Sequence, residues 1–502
     1  MKPIYAAIDI GANSIKLKIV EYSSGNIVII EDLAKEIAIG EDVYQKGVID
    51  HQTVKEILKI LHYFKSVMDA YEVEQYRAVG TSVLREATNA KMLVEMLKIK
   101  TGIEVEIIED SIEKFLTYKS IRDFMPNYRD LRKSSLVVEI NSGSCDVSIY
   151  HRNHLIKNEE IKLGTKNLKN ILIEMEQRTV NYPEVLSELL ETRTSHMWQD
   201  IQGKKLKHFI CLGGEAKLIK QQLFSGDDHV DREAFKTIYN RLIEDHRTFR
   251  YEIESKQINW YEFVISILIY NMFFDLTQAE GIMIPDISLR DGILADFIES
   301  DYKLSRYTAF NNDIYSLAWN ISKRYRSSEA HVKALESYSL RIFKSLNLHF
   351  EFGERDEMLL RLSSILHEIG KYTRLKDYLI TSYDKIINLS VLGVTQEELC
   401  IIAHVCRLIS SSETKPFDFE LDGVSEENHG TVFKLSCIMS IADALDKGKR
   451  QKISIDSIKI TDDRMTIYIR HQEDITLEEI SFEYTIQNFI NTFGILPELK
   501  EI

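Results

Sequence analysis

Cysteine is scarce in this 502-residue chain, and what there is lies scattered. The five cysteines, at positions 145, 211, 400, 406 and 437, form no CxxC pair. That spacing excludes a disulfide framework and a thiolate zinc site, and reduced thiols point to the cytoplasm. Long apolar runs are missing too. The longest, Phe263 to Phe274, is too short to cross a bilayer and contains Asn271, so no membrane partner is expected. No signal peptide fits the N-terminus, where Asp9 interrupts the first apolar stretch. Positive charge is in deficit: 63 Lys and Arg against 78 Asp and Glu leave a net charge of −15, which argues against general nucleic-acid binding. No low-complexity linker divides the chain, yet its length exceeds what one core holds, so about three or four domains are expected. At 44% hydrophobic and 28% charged residues, the composition is that of an ordinary globular protein.

What the chain does have is one design written twice. Ala6 to Ile19 and Leu136 to Ile149 each run from an apolar strand to an acid, a short Gly/Ser/Asn turn and an alternating strand. Overlaid, Asp9 falls on Glu139, Ile10 on Ile140 and Ser14 on Ser144, while Lys16 takes the place of Asp146. Tight hairpins of this kind aim backbone N–H groups and a hydroxyl at an anion, with the acid ready for a cation. Facing each other, the two copies would clamp a phosphate chain and its metal ion.

Around these hairpins the pattern alternates between strand and helix, which implies a sheet layered with helices. Thr53 to Tyr71 has helical spacing. A strand near Tyr76 to Val79 ends at Gly80-Thr81-Ser82, and a strand over Val105 to Ile108 leads to a helix from about Ser111. Leu206 to Leu212 reads as a buried strand opening through Gly213-Gly214 into a helix, a junction suited to backbone contact with phosphate. Trp260–Phe274 and Leu289 to Ile298 look like buried helices. From about 305 the chain is almost purely helical, then turns to strands (Ile453 to Ile460, Met465 to Ile469) and one helix, Leu477 to Phe493. Bases outnumber acids between 301 and 350 (Lys303, Arg306, Lys323, Arg324, Arg326, Lys333, Arg341, Lys344), and Lys447, Lys449, Arg450 and Lys452 form a second cluster. Converging on one cleft, they would guide a long polyanion.

These segments together resemble the long form of the exopolyphosphatase/guanosine pentaphosphatase (Ppx/GppA) family. Asp9-Ile10-Gly11-Ala12-Asn13-Ser14 matches the family's first phosphate loop, DIGxNS. Thr81-Ser82-Val83-Leu84-Arg85-Glu86-Ala87-Thr88-Asn89 resembles TSAxREAxN, Leu289-Arg290-Asp291-Gly292-Ile293-Leu294 resembles LREGLL, and Ile441-Ala442-Asp443-Ala444-Leu445-Asp446 is similar to IADALD. The departures fall elsewhere. The family's second loop, DIGGGSTE, reads Glu139-Ile140-Asn141-Ser142-Gly143-Ser144-Cys145-Asp146, with two glycines replaced. SGxEEAR appears as Glu109 to Phe115, keeping Glu113 but placing Phe115 at the arginine position. GGT becomes Gly213-Gly214-Glu215. The third domain resembles an HD fold with a degenerate metal site: His331 and His367 match, Glu368 replaces the paired aspartate, and Ile409 stands where a later histidine would be. His331 and His367 are expected to be packed residues with satisfied hydrogen bonds.

The resemblance implies an α/β fold of two actin/sugar-kinase-like (ribonuclease H-like) lobes, 1–125 and 126–303. An all-helical HD-like domain, 304–452, and a small α+β domain, 453–502, would follow. It implies an exopolyphosphatase that releases orthophosphate from polyphosphate with Mg²⁺, as a cytoplasmic homodimer. Guanosine pentaphosphate as substrate, or non-catalytic sensing of either ligand, stays open. Glu113 and Asp146 are the expected catalytic acids, Asp9 and Glu139 the metal carboxylates. Gly11, Asn13, Ser14, Ser82, Arg85, Gly143, Ser144, Gly213 and Gly214 would bind phosphate. Lys323, Arg324, Arg326, Lys447, Lys449 and Arg450 would form a polyphosphate track.

Overall fold

The computed structural model describes residues 2–23, 26–125, 128–224, 226–302, 310–409 and 420–502, so Lys303 and Arg306 lie outside the described residues. The chain divides into two compact units, Met1–Phe310 and Asn311–Ile502.

Unit 1 holds two sheets. The first comprises β1 (Ile4–Ile10), β2 (Ser14–Ser23), β3 (Asn26–Glu36), β4 (Gln75–Gly80) and β5 (Val105–Ile107), in the order β3-β2-β1-β4-β5. The second comprises β6 (Ser134–Ile140), β7 (Cys145–His151), β8 (His154–Ile161), β9 (His208–Leu212), β10 (His229–Asp231) and β11 (Gly281–Met283), in the order β10-β11-β9-β6-β7-β8. Taken from its hairpin end, β8-β7-β6-β9-β11 repeats the order of the first sheet, with β10 added at the edge. The duplication of the loops is therefore a duplication of whole lobes.

Central strands of this kind need apolar residues on both faces because helices cover both. In β1 only Ile4 and Asp9 escape full burial. Helix His51–Ala70 closes the first sheet with Val54, Ile57, Leu61, Phe64 and Met68, the stripe that its spacing predicts. Helix Trp260–Asp275 is buried on nearly every side and shares a core with Phe209 and Cys211 of β9.

Two further helices link the lobes. Helix Asp110–Phe124 lies against helix Leu289–Asp301 so closely that a Cβ on Gly292 would stand 1.8 Å from the Leu116 carbonyl oxygen. Wholly buried Lys119 reaches Glu299 at 3.3 Å and also pairs with Asp296. The Arg290 Nη1 group donates to the Leu17 carbonyl (2.9 Å), and Lys18 pairs with Asp291 at 2.7 Å. The Leu289–Leu294 motif is thus a clasp that fixes β2 and helix Asp110–Phe124 to one another.

Unit 2 is helical from Asn311–Arg324 through Glu329–Leu346, Asp356–Leu366, Tyr378–Ile386 and Gln396–Leu408 to His429–Ala444. It ends in a sheet of β12 (Ser454–Ile460), β13 (Arg464–Arg470) and β14 (Leu496–Glu501), in that order. The single helix expected over 477–493 is two, Thr476–Glu483 and Ile486–Phe493, and β14 is a strand that the sequence pattern does not predict. Its sequence, LPELKE, is polar and carries a proline, which hides an edge strand from any alternation rule.

Candidate active site

The two duplicated turns close with the same backbone hydrogen bond. The Gly11 N–H donates to the Ser14 carbonyl at 3.0 Å, and the Asn141 N–H donates to the Ser144 carbonyl at 2.9 Å. Register sets Asp9 opposite Lys16 across β1–β2, and Glu139 opposite Asp146 across β6–β7. The adjoining strands end at the same level: Ile10 pairs with Gly80 of β4, and Glu139 with Leu212 of β9. Helix Ser82–Glu86 therefore starts beside the first loop, and helix Gly214–Leu223 beside the second.

A cleft of about 640 Å³ takes in both loops and the starts of both helices, with Glu139 outside its lining. Gly11, Asn13, Ser14, Ser82, Arg85, Gly143, Ser144 and Gly214 line it together with Asp9 and Glu113. Gly213 stands behind the lining at φ +112°, a backbone region favouring glycine, and a Cβ there would meet the Ile140 carbonyl oxygen at 2.3 Å. Gly164, which sequence reasoning passes over, supports the second loop from outside. A Cβ on it would lie 2.1 Å from the Gly143 carbonyl carbon and 2.4 Å from both Ser142 O and Ser144 N.

Glu113 sits in the first turn of helix Asp110–Phe124, where the N-terminal dipole favours a carboxylate. Arg85 donates to it at 2.8 Å and also to the Ile108 carbonyl at 2.8 Å. Arg85 thus pairs with Glu113 and, at 3.7 Å, Asp110, not with the neighbouring Glu86, and its guanidinium positions acids as well as facing the cleft. Burial raises the Glu113 carboxyl above its usual range against the pull of Arg85, and repulsion from Asp9 and Asp110 adds to the rise.

Asp146, expected as a catalytic acid, stands away from the cleft. It is wholly buried, lies outside the cleft lining, and pairs with the Lys114 ammonium at 2.6 Å. Lys114, itself buried, also binds Asp110 and reaches Glu160 at 3.0 Å. Burial still pushes the Asp146 carboxyl up to about 7. Lys114 escapes sequence reasoning because its role depends on a helix meeting a strand that follows it in the chain. Lys16, Tyr44, Asp110, Glu160, Lys162 and Glu215 are further lining residues that the motifs alone do not assign to the site.

The charge of the cleft bears directly on a metal. Among the described residues six acids line it (Asp9, Glu86, Asp110, Glu113, Glu160, Glu215) against three bases (Lys16, Arg85, Lys162), too few to welcome a polyanion unaided. Among the described residues the buried Asp9 Oδ1 atom has no hydrogen-bond partner, and burial raises that carboxyl. Burial, then Asp146 and Glu113, push Glu139 up to about 8. A hard divalent cation with oxygen preference would relieve both, so Asp9 and Glu139 fit the Mg²⁺ that the resemblance implies.

In unit 2, Lys323, Arg324 and Arg326 stand exposed at and just beyond the end of helix Asn311–Arg324. Lys447 and Lys449 are instead committed to acids, Lys447 to Asp443 at 3.0 Å and Lys449 to Glu368. Arg450 is exposed. His331 and His367 are buried as expected, but among the described residues their Nε2 atoms have no hydrogen-bond partner, unlike the expected full satisfaction.

The chain is similar to known proteins. The profile of the Ppx/GppA phosphatase family matches residues 18–301, and that of domain III of Ppx/GppA phosphatases matches residues 317–483. A guanosine-5'-triphosphate,3'-diphosphate pyrophosphatase of Vibrio vulnificus is 22% identical over 450 residues, covering 87% of each chain. One from Photobacterium profundum is 20% identical over 425 residues, 81% of this chain and 80% of that one. A bifunctional 3-dehydroquinate synthase/phosphatase of Fusobacterium nucleatum is 25% identical over 186 residues, and the match spans only 28% of that protein's length. A crystal structure of the Aquifex aeolicus Ppx/GppA family member superposes with a TM-score of 0.51 at 20% identity, over 60% of this chain and 99% of that one. The shared fold is the two-lobed actin-like one.

Proposed function

Because the chain belongs to the Ppx/GppA phosphatase family, we propose that it hydrolyses phosphoanhydrides, releasing orthophosphate from the end of polyphosphate. The observation that carries this is the pair of loops, closed by one and the same hydrogen bond, facing a single cleft that Asp9 and Glu113 also line. The barrier in such a reaction is charge, since water must approach a phosphorus ringed by negative oxygens. Donors from Gly11, Asn13, Ser14, Ser82, Gly143, Ser144 and Gly214 hold those oxygens and spread their charge. Glu113, steadied by Arg85, takes a proton from the attacking water as its oxygen bonds to the terminal phosphorus. The bridging P–O bond breaks, and its electron pair leaves on the shortened chain. Mg²⁺ held by Asp9 and Glu139 would supply the positive charge that three lining bases do not. Asp146 serves as counter-charge to Lys114 and so sets the helix that bears Glu113.

The curated relatives favour a second substrate, guanosine pentaphosphate, since those spanning most of their length carry that activity in their names. Against it, Tyr44 alone among the lining residues offers an aromatic face for a base. Purified protein with Mg²⁺ and either long-chain polyphosphate or guanosine pentaphosphate distinguishes the readings. Faster orthophosphate release from polyphosphate is expected. Release from the nucleotide alone would assign the second substrate, and release from neither would leave a sensing protein.

Lys323, Arg324 and Arg326 offer a long chain additional contacts on unit 2. Replacing all three with Ser should weaken long-chain binding and flatten its salt dependence, as fewer counterions are then released. Turnover of a short tri- or tetraphosphate should hardly change. An unaltered salt slope would remove these residues from substrate binding.

A further inference from the structure

The second lobe holds another cavity, of about 460 Å³, that shares no lining residue with the cleft of the phosphate loops. It opens between the segment joining helices Thr165–Arg178 and Tyr182–Ile201 and the first turns of helix His246–Ser255. Its volume lies in the range of small-molecule sites. Among the described residues Arg178, Arg247 and Arg250 line it against one acid, Glu176, in a chain of net charge −15. Glu176 is already engaged: Arg250 donates to one of its oxygens and the Tyr261 hydroxyl to the other, each at 2.8 Å. Arg178 pairs with Glu174, and Arg250 also with Glu254, both outside the lining. Arg247 is exposed and, among the described residues, makes no ion pair.

The backbone adds to this field. Helix His246–Ser255 begins at the cavity with no acid in its first turn and no side-chain cap from Asp245, so its first N–H groups are open to an anion. The rest of the wall is aromatic. The Trp260 indole N–H donates to the hydroxyl of buried Tyr182 at 3.1 Å, which fixes that ring, and the His246 ring meets it edge-on with centroids 5.1 Å apart. The buried His246 Nδ1 atom has no hydrogen-bond partner among the described residues, and so offers one to whatever enters. Val180 and Tyr251, 54% and 78% exposed, belong to the same lining. Two large side chains kept out of the core beside a basic hollow are a grip for a flat ring.

We propose that this cavity binds a small aromatic phosphate, with the chemistry of a nucleoside monophosphate. Its phosphate meets Arg247 and the start of helix His246–Ser255, and its ring lies against Tyr251 and Val180. Arginine suits both parts, since the flat guanidinium grips phosphate oxygens in pairs and stacks on rings. The exposed aromatic and apolar side chains set this ligand apart from a bare phosphate chain, and a lone uncommitted arginine suits a single phosphate. Nothing in this binding depends on which phosphoanhydride the cleft hydrolyses.

The test titrates full-length protein with adenosine 5′-monophosphate by calorimetry in EDTA, and separately with adenosine and with inorganic phosphate. The monophosphate should bind saturably, and each of its two fragments more weakly. Arg247→Glu should weaken it by about tenfold or more, since a charge-assisted contact becomes a repulsion. Tyr251→Ala should weaken it by about threefold or more through the lost ring contact. Both residues are exposed, so both variants should melt as the wild type does. Asn13→Ala, in the first phosphate loop, should leave the affinity unchanged. No saturable binding of the monophosphate, wild-type affinity in Arg247→Glu or Tyr251→Ala, or lost binding in Asn13→Ala overturns the proposal. Adenosine or phosphate binding as tightly as the monophosphate overturns it as well.

Discussion

Glu113→Gln should reduce phosphate release by about a hundred- to ten-thousand-fold while leaving substrate affinity nearly unchanged. The amide keeps the shape and can still accept from Arg85, but it cannot take a proton from water. The readout has two parts. Turnover falls, and the acidic limb of the pH profile changes, because Glu113 no longer contributes to it beside Asp9 and Glu139, whose carboxyls burial also raises. Burial raises the Glu113 carboxyl above its ordinary value, so in the wild-type enzyme activity is lost as pH drops through that raised value and kept above it. A variant with near-normal turnover would remove Glu113 from the proton transfer.

Gly292→Ala should cost both stability and activity. The added methyl would sit 1.8 Å from the Leu116 carbonyl oxygen and 2.5 Å from its carbon. Those are backbone atoms, so no side chain can rotate aside and the two helices must part. Overpacking of this kind destabilises by about 1–3 kcal/mol or more. Leu116 lies one helical turn from Glu113, so the displacement reaches the base. A misplacement of about 1 Å in a catalytic group can cost on the order of a hundredfold in rate. Thermal unfolding and turnover should therefore fall together. Gly430→Ala, at a helical position with nothing within 4 Å, is the control and should change neither. Wild-type melting and turnover in Gly292→Ala would show that the clasp has slack.

The features legible in the sequence are local ones. The strand, acid and turn of each phosphate loop are neighbours in the chain, so their order and register can be laid side by side from the residues alone. Helix His51–Ala70 shows itself by spacing, and Glu113 by the motif around it. What stays hidden joins distant segments. Nothing near Lys114 reveals that its ammonium will meet Asp146, and nothing near Arg85 selects Glu113 over the adjacent Glu86. The mostly exposed β3 and the three-residue strands β10 and β11 offer too little periodicity to register. His331 and His367 are visible as residues, but whether both nitrogens of each ring are satisfied depends on Asp446 and on a helix carbonyl.

The second phosphate loop carries Asn141 and Ser142 where the family has glycines, yet it keeps the hydrogen bond of the first. Its form is imposed by neighbours: Gly164 presses on residues 142–144 from one side, and Gly213 on Ile140 from the other. Positions 141 and 142 are thereby released from guarding the backbone path, and their side chains answer to the cleft and, through the Asn141 amide, to Asp146 at 3.3 Å. A lineage can exchange amide, hydroxyl or charge there and try out new ligands while the scaffold stays put. Residues 164 and 213 have no such latitude. Innovation in this protein is cheapest inside the loop, and the constraint that makes it cheap is stored outside.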